Sequence, residues 1–177
     1  MKHKTIHNFK IDIDKYPFNY QKALTDKLDK LDGNFNQSII NEIVLWKVSR
    51  YAKLDSETLA LLNKIKKSTR KVNVSLTRKI LNKLLTTKGI RLPMASTILR
   101  FKNPNLYQII DQRVFRLLNK NRLKIPTDIE IQIDLYLDYL SQLKQICQKK
   151  EIPFNKSDRI LFEIDKEINS ENKLLNY

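Results

Sequence analysis

Apolar residues recur at helical spacing along most of this chain and rarely at the two-residue period of a strand. Residues 19–31 place Ala23, Leu24, Leu28 and Leu31 along one stripe, and Asp32-Gly33-Asn34 then supplies turn chemistry that stops a helix. Residues 36–51 are apolar nearly all round (Ile39, Ile40, Ile43, Val44, Trp46, Val48), a pattern that predicts a helix buried in the middle of a domain. A further helix is expected over 55–65, starting at Asp55-Ser56-Glu57, where first-turn acids suit the helix dipole. Another, over 75–86, carries Leu76, Ile80, Leu81, Leu84 and Leu85 on one face and Arg78, Lys79 and Lys83 on the other. After the tight connection Lys88-Gly89-Ile90-Arg91-Leu92, Pro93 opens a helix to Phe101; a proline fits a first turn because its missing N–H has no intrahelical partner to lose. Asn103-Pro104-Asn105 ends that helix, residues 107–118 are expected to form the next with Asp111 near its start, and two closing helices follow over 127–149, capped by Thr127 or Asp128, and 157–168.

Eight or so helices, two glycines and short connections make the expected architecture all-α. The expectation is a single compact multi-helix domain of two small lobes over residues 19–177, preceded by an extended arm at residues 1–18 that holds His3 and His7. No apolar run approaches the roughly 18 residues of a membrane span, and the amino terminus lacks the apolar region of a signal peptide. The one cysteine, Cys147, excludes an intramolecular disulfide and a cysteine-ligated zinc or iron–sulfur centre, and is expected to be a small apolar residue on a late helix. No metal and no cofactor is expected, and the expected compartment is a reducing cytoplasm.

Charge changes this picture. Of 34 basic and 19 acidic residues, seventeen bases and one acid, Asp111, lie between residues 64 and 124; the remainder is close to neutral. Such segregation is the footprint of a polyanion, most simply a nucleic-acid backbone. A bias towards Lys, Asn and Ile inflates the isoelectric point by itself, but it does not explain why acids vanish here and return after Thr127. A lone carboxylate in a field meant for phosphates points to chemistry at Asp111, although a short acid near a helix start is also a common N-cap, and the two roles are compatible.

The run from Lys88 to Leu118 resembles the helix-hairpin-helix DNA glycosylase superfamily, which includes endonuclease III-like and 8-oxoguanine glycosylases. Gly89 and Ile90 match the first hairpin positions, and Ala95, Ile98 and Leu99 match the second helix. Asp111 falls at the spacing of the catalytic aspartate, and Val114-Phe115-Arg116 matches the family's continuation beyond that residue; Asp158-Arg159 and Ile160-Leu161-Phe162 look like a closing helix of some branches. The resemblance implies a helix-hairpin-helix motif that binds the phosphates of duplex DNA through Lys88, Gly89, Ile90, Arg91, Arg100, Lys102 and Arg113. It implies Asp111 facing the sugar of an extruded nucleotide, and a role in repair or in defence against modified foreign DNA. Ser49, Arg50 and Tyr51 sit roughly where relatives fill the gap left by the base, and Trp46, Phe101, Tyr107, Tyr136 and Tyr139 are further candidates to hold it. The chain departs from the family at two places: Arg91 replaces the second hairpin glycine, and Pro93 stands where bifunctional members keep their lysine nucleophile. The expected activity is therefore a monofunctional, water-using glycosylase. The alternatives are a non-catalytic DNA-binding module on the same fold, or a basic helical subunit that meets an acidic protein.

Overall fold

The computed structural model describes residues 21–32, 34–48, 52–119 and 121–171, and these are helix, turn and loop with no strand among them. They divide into two units, one within residues 1–51 and one within 52–177. The proposed arm lies outside the described residues. None of the described helices is long and apolar enough to cross a membrane.

The first unit contains α1 (Lys22–Asp29) and α2 (Gln37–Lys47). Asn36 caps α2 by accepting from the Ile39 N–H at 3.0 Å. Trp46 donates its indole N–H to Thr25 at 2.9 Å, and Lys27 pairs with Glu42 at 2.7 Å. The expectation of a buried α2 is corrected here: none of its residues is buried, and Ile40, Val44, Leu45 and Val48 are exposed. Among the described residues of this unit the short α1 packs against α2, and an apolar-all-round helix with one short neighbour keeps much of its surface exposed.

The second unit holds α3 (Ser56–Asn63), α4 (Val74–Thr86), α5 (Leu92–Lys102), α6 (Gln112–Asn119), α7 (Ile129–Lys149), a 3-10 turn (Phe154–Lys156) and α8 (Ser157–Ile168). Asp55, Asn73 and Asp128 cap α3, α4 and α7 at 2.6–2.9 Å, so Asp128 rather than Thr127 starts the long helix. The stripe Ile133, Tyr136, Tyr139, Leu143 and Cys147 of α7 packs against Ile80, Leu81 and Leu84 of α4 and Leu92, Ala95 and Leu99 of α5 in one core. Full burial of each such aliphatic side chain contributes on the order of 1.5–3 kcal/mol.

One expected helix begins late. Residues 107–110 are not helical, and α6 starts at Gln112. Buried side chains take the backbone groups a first turn would have used. The Tyr136 and Tyr139 hydroxyls donate to the carbonyls of Gln108 and Ile109 at 3.0 and 2.7 Å, and the Ile110 N–H donates to Ser96 Oγ at 3.2 Å. Tyr107 is fixed in turn by a 2.7 Å hydroxyl–hydroxyl hydrogen bond with Thr77. Tertiary hydrogen bonds have outcompeted local helix propensity, and they set where the next residue, Asp111, stands.

Candidate functional site

The connection between α4 and α5 is short because Gly89 turns it at φ 88°. A Cβ there would meet nothing within 4 Å, so the backbone angle rather than crowding calls for glycine. Ile90 buries itself beside the turn, with its N–H donated to the Thr87 carbonyl at 3.1 Å, and Lys88 and Arg91 are left exposed on either side. No side chain caps α5, and Pro93 in its first turn has no N–H to satisfy. An uncapped helix start beside two exposed cations can take an anion such as a phosphate oxygen.

Asp111 stands at the mouth of a second feature. Its Oδ1 accepts from the Val114 N–H at 2.8 Å and its carbonyl accepts from Phe115, which makes it the N-cap of α6. The half-buried carboxyl lines a cleft of ≈ 380 Å³ with Ile109, Asp158, Arg159, Phe162 and Glu163. Burial raises its pKa above the ordinary aspartate value, opposed by the N–H groups of Val114 and Arg113 and by the Arg113 charge. The Tyr139 phenol is pushed well up first by burial and then by the Asp111 charge, so it remains a hydrogen-bond donor at neutral pH.

Two further acids brace the cleft from α8. Asp158 is buried and accepts from Arg100 Nε at 3.2 Å, while Asp165, with no exposed surface, accepts from Arg113 at 3.0 Å and Arg116 at 2.6 Å. Burial pushes the Asp165 carboxyl up, but hydrogen bonds from Arg116, Asn169 and Arg113 outweigh it and hold the group below its usual range. The Arg113 guanidinium also lies over the Phe162 ring, 5.3 Å from its centroid. The result is a clamp between α6 and α8 that fixes the helix start at Asp111.

These contacts redistribute the cations expected to meet DNA. Arg100, only 7% exposed, is turned into the interior against Asp158, because a buried guanidinium and carboxylate offset each other's desolvation; it is not at the surface. Arg113, which stays partly exposed, is likewise engaged, by Asp165. Lys102 is half-buried and donates to Asn63 at 2.7 Å. Lys88 and Arg91 remain exposed, together with Lys64, Lys66, Lys67, Arg70 and Lys71 of the α3–α4 loop. Of the candidate aromatics, Tyr107, Tyr136 and Tyr139 are core residues, and Phe101 is exposed. Ser49, Arg50 and Tyr51 lie outside the described residues.

Sequence reading missed Asp158, Asp165 and Phe162 as parts of the site. Their signal was present: Asp158 and Asp165, seven residues apart, fall on one face of the helix expected over 157–168. Among the described residues no three His, Cys, Asp or Glu side chains are grouped to hold a metal ion. Neither family models, curated proteins nor solved structures yield a match to this chain.

Proposed function

We propose that this protein binds duplex DNA and hydrolyses the N-glycosidic bond of a base rotated out of the stack, with Asp111 as the catalytic carboxylate. The observation that carries the reading is the position of Asp111: the one acid between residues 64 and 124 lines a cleft beside an apolar wall, Phe162 and Ile109. In this reading α4, the Gly89 turn and α5 act as a helix-hairpin-helix motif. Lys88, Arg91 and the uncapped N–H groups at the start of α5 hold backbone phosphates without reading sequence. Arg159, exposed at the rim of the cleft, meets the phosphate of the extruded nucleotide.

Breaking the bond from C1′ to the base nitrogen sends the electron pair away with the base and leaves positive charge on the sugar. The ionised Asp111 stabilises that charge, water adds to C1′, and Asp111 accepts the proton that the water loses. Tyr139, the Val114 N–H and the clamp on α8 keep the carboxylate in register. Proline at position 93 cannot form a Schiff base, so coupled strand cleavage by that route is not expected.

The test is mass-spectrometric detection of free bases released from undamaged, alkylated, oxidised and hypermodified DNA. Release that falls by about a hundredfold or more in Asp111→Asn is the expected result. Unchanged release in that variant would overturn the mechanism. A second reading, a non-catalytic DNA-binding module, is favoured by Arg91 after the Gly89 turn and Pro93 at the start of α5; silence across the panel with DNA binding intact would establish it instead.

A further inference from the structure

A groove of ≈ 440 Å³ runs between α3 and α5, walled by Leu59, Leu62, Ile98 and Phe101 and also lined by the hydrogen-bonded pair Asn63 and Lys102. Phe101 is 62% exposed, an unusual position for a ring that does little packing. The ring is nonetheless held: the Arg100 guanidinium lies over it, 5.2 Å from the centroid, and Arg100 is fixed by Asp158 and by the Asn155 carbonyl. A braced flat ring with solvent access can accept a second flat partner without losing freedom of its own.

Directly after Asn63 the chain enters the α3–α4 loop, where Lys64, Lys66, Lys67, Arg70 and Lys71 are exposed and no acid occurs. The loop is tied down from within. Ile65 is buried, and the fully buried Asn103 donates its side-chain amide to the carbonyls of Lys66 at 2.7 Å and Thr69 at 3.1 Å. Asn103 follows Phe101 by two residues, so five cations are held at the end of α5 that carries the exposed ring.

An exposed aromatic ring beside a tied loop of exposed cations matches the two surfaces of a nucleotide, its base and its phosphates. A base within a duplex has no free face to offer, whereas an unpaired one does. We propose that the α3–α5 groove and the loop after it bind an unpaired stretch of DNA, with one base stacked on Phe101 and the neighbouring phosphates met by the loop cations. The proposal deepens the reading of DNA as the partner, and it does not depend on the chemistry at Asp111.

The experiment is fluorescence anisotropy with labelled oligothymidylate and a duplex, each of about 20 nucleotides per strand, a length that exceeds one single-strand site. Phe101→Ala should weaken oligothymidylate binding by about tenfold and change duplex binding by less than about twofold. Lys67→Glu with Lys71→Glu should weaken oligothymidylate binding and flatten its dependence on salt. Phe101→Leu keeps the apolar volume without the ring; it should reproduce the Phe101→Ala loss, and wild-type affinity in it would overturn the stacking. An unchanged oligothymidylate affinity in Phe101→Ala, or displacement by polyglutamate as effective as by unlabelled oligothymidylate, would also sink the proposal. If base release by the wild type persists alongside such a result, the glycosylase reading stands and this groove is not part of it; binding to neither DNA would remove both.

Discussion

Asp111 carries two demands that pull in opposite directions. As N-cap of α6 it satisfies a backbone N–H in either charge state, but as a half-buried ionised group it costs stability. Because its folded pKa lies above the unfolded value near 3.9, the folded state gains from protonation at low pH and loses that gain as pH rises through the folded pKa. At neutral pH, Asp111→Asn, which keeps a capping oxygen and removes the charge, should melt at or above the wild-type temperature in calorimetry while losing base release. Asp111→Ala should lose about 1 kcal/mol by urea titration, since its cap is gone. The pH–rate profile of base release should show an acid limb above that of an ordinary aspartate, as the proposed role of Asp111 needs the ionised form.

Individual helices are positioned by few but deeply buried polar contacts. Asp165 joins α6 to α8 by accepting from Arg113 and Arg116, and removing its charge strands two guanidinium groups in the interface. Asp165→Asn should therefore lose about 3 kcal/mol or more at neutral pH. For this group the folded pKa is depressed, so its stabilisation is present above the unfolded value near 3.9 and disappears as pH falls through the folded one. The mutant and wild-type urea midpoints should converge in acid. Tyr139→Phe would leave the Ile109 carbonyl without its buried donor and cost about 1–3 kcal/mol, with base release falling further than the stability loss alone accounts for.

Across the whole molecule the central basic stretch behaves less uniformly than its count implies. Arg78 is engaged with Glu130 and Asp134, Lys83 with Glu57, and Arg100, Arg113 and Arg116 with carboxylates of α8. The cations left exposed concentrate in the α3–α4 loop and beside the Gly89 turn. Duplex binding should weaken with salt, and Arg91→Gln should lower the slope of log affinity against log salt by about 1, equally for unrelated sequences. Substitution of Arg100 should instead appear chiefly as lost stability, because its charge serves Asp158 rather than a phosphate.

Periodicity and turn chemistry were enough to locate most of the helices, since both act within a few residues: the stripe of α4, the cap at Asp128 and the glycine turn at Gly89 are all local. The isolation of Asp111 in a basic field is likewise a property of the chain alone. The sequence pattern did not reveal that residues 107–110 leave helical geometry, because the phenols that take their carbonyls come from about thirty positions away. Nor did it reveal which cations face water, since a guanidinium turns inward only where folding brings a carboxylate to it, as Asp158 and Asp165 are brought to Arg100, Arg113 and Arg116. The all-round apolar character of α2 predicted burial, yet exposure depends on how many neighbours surround a helix, which no single segment encodes. Local sequence determined the elements and the charge they carry; long-range pairing decided the start of α6, the cleft beside it and the surface that remains for a partner.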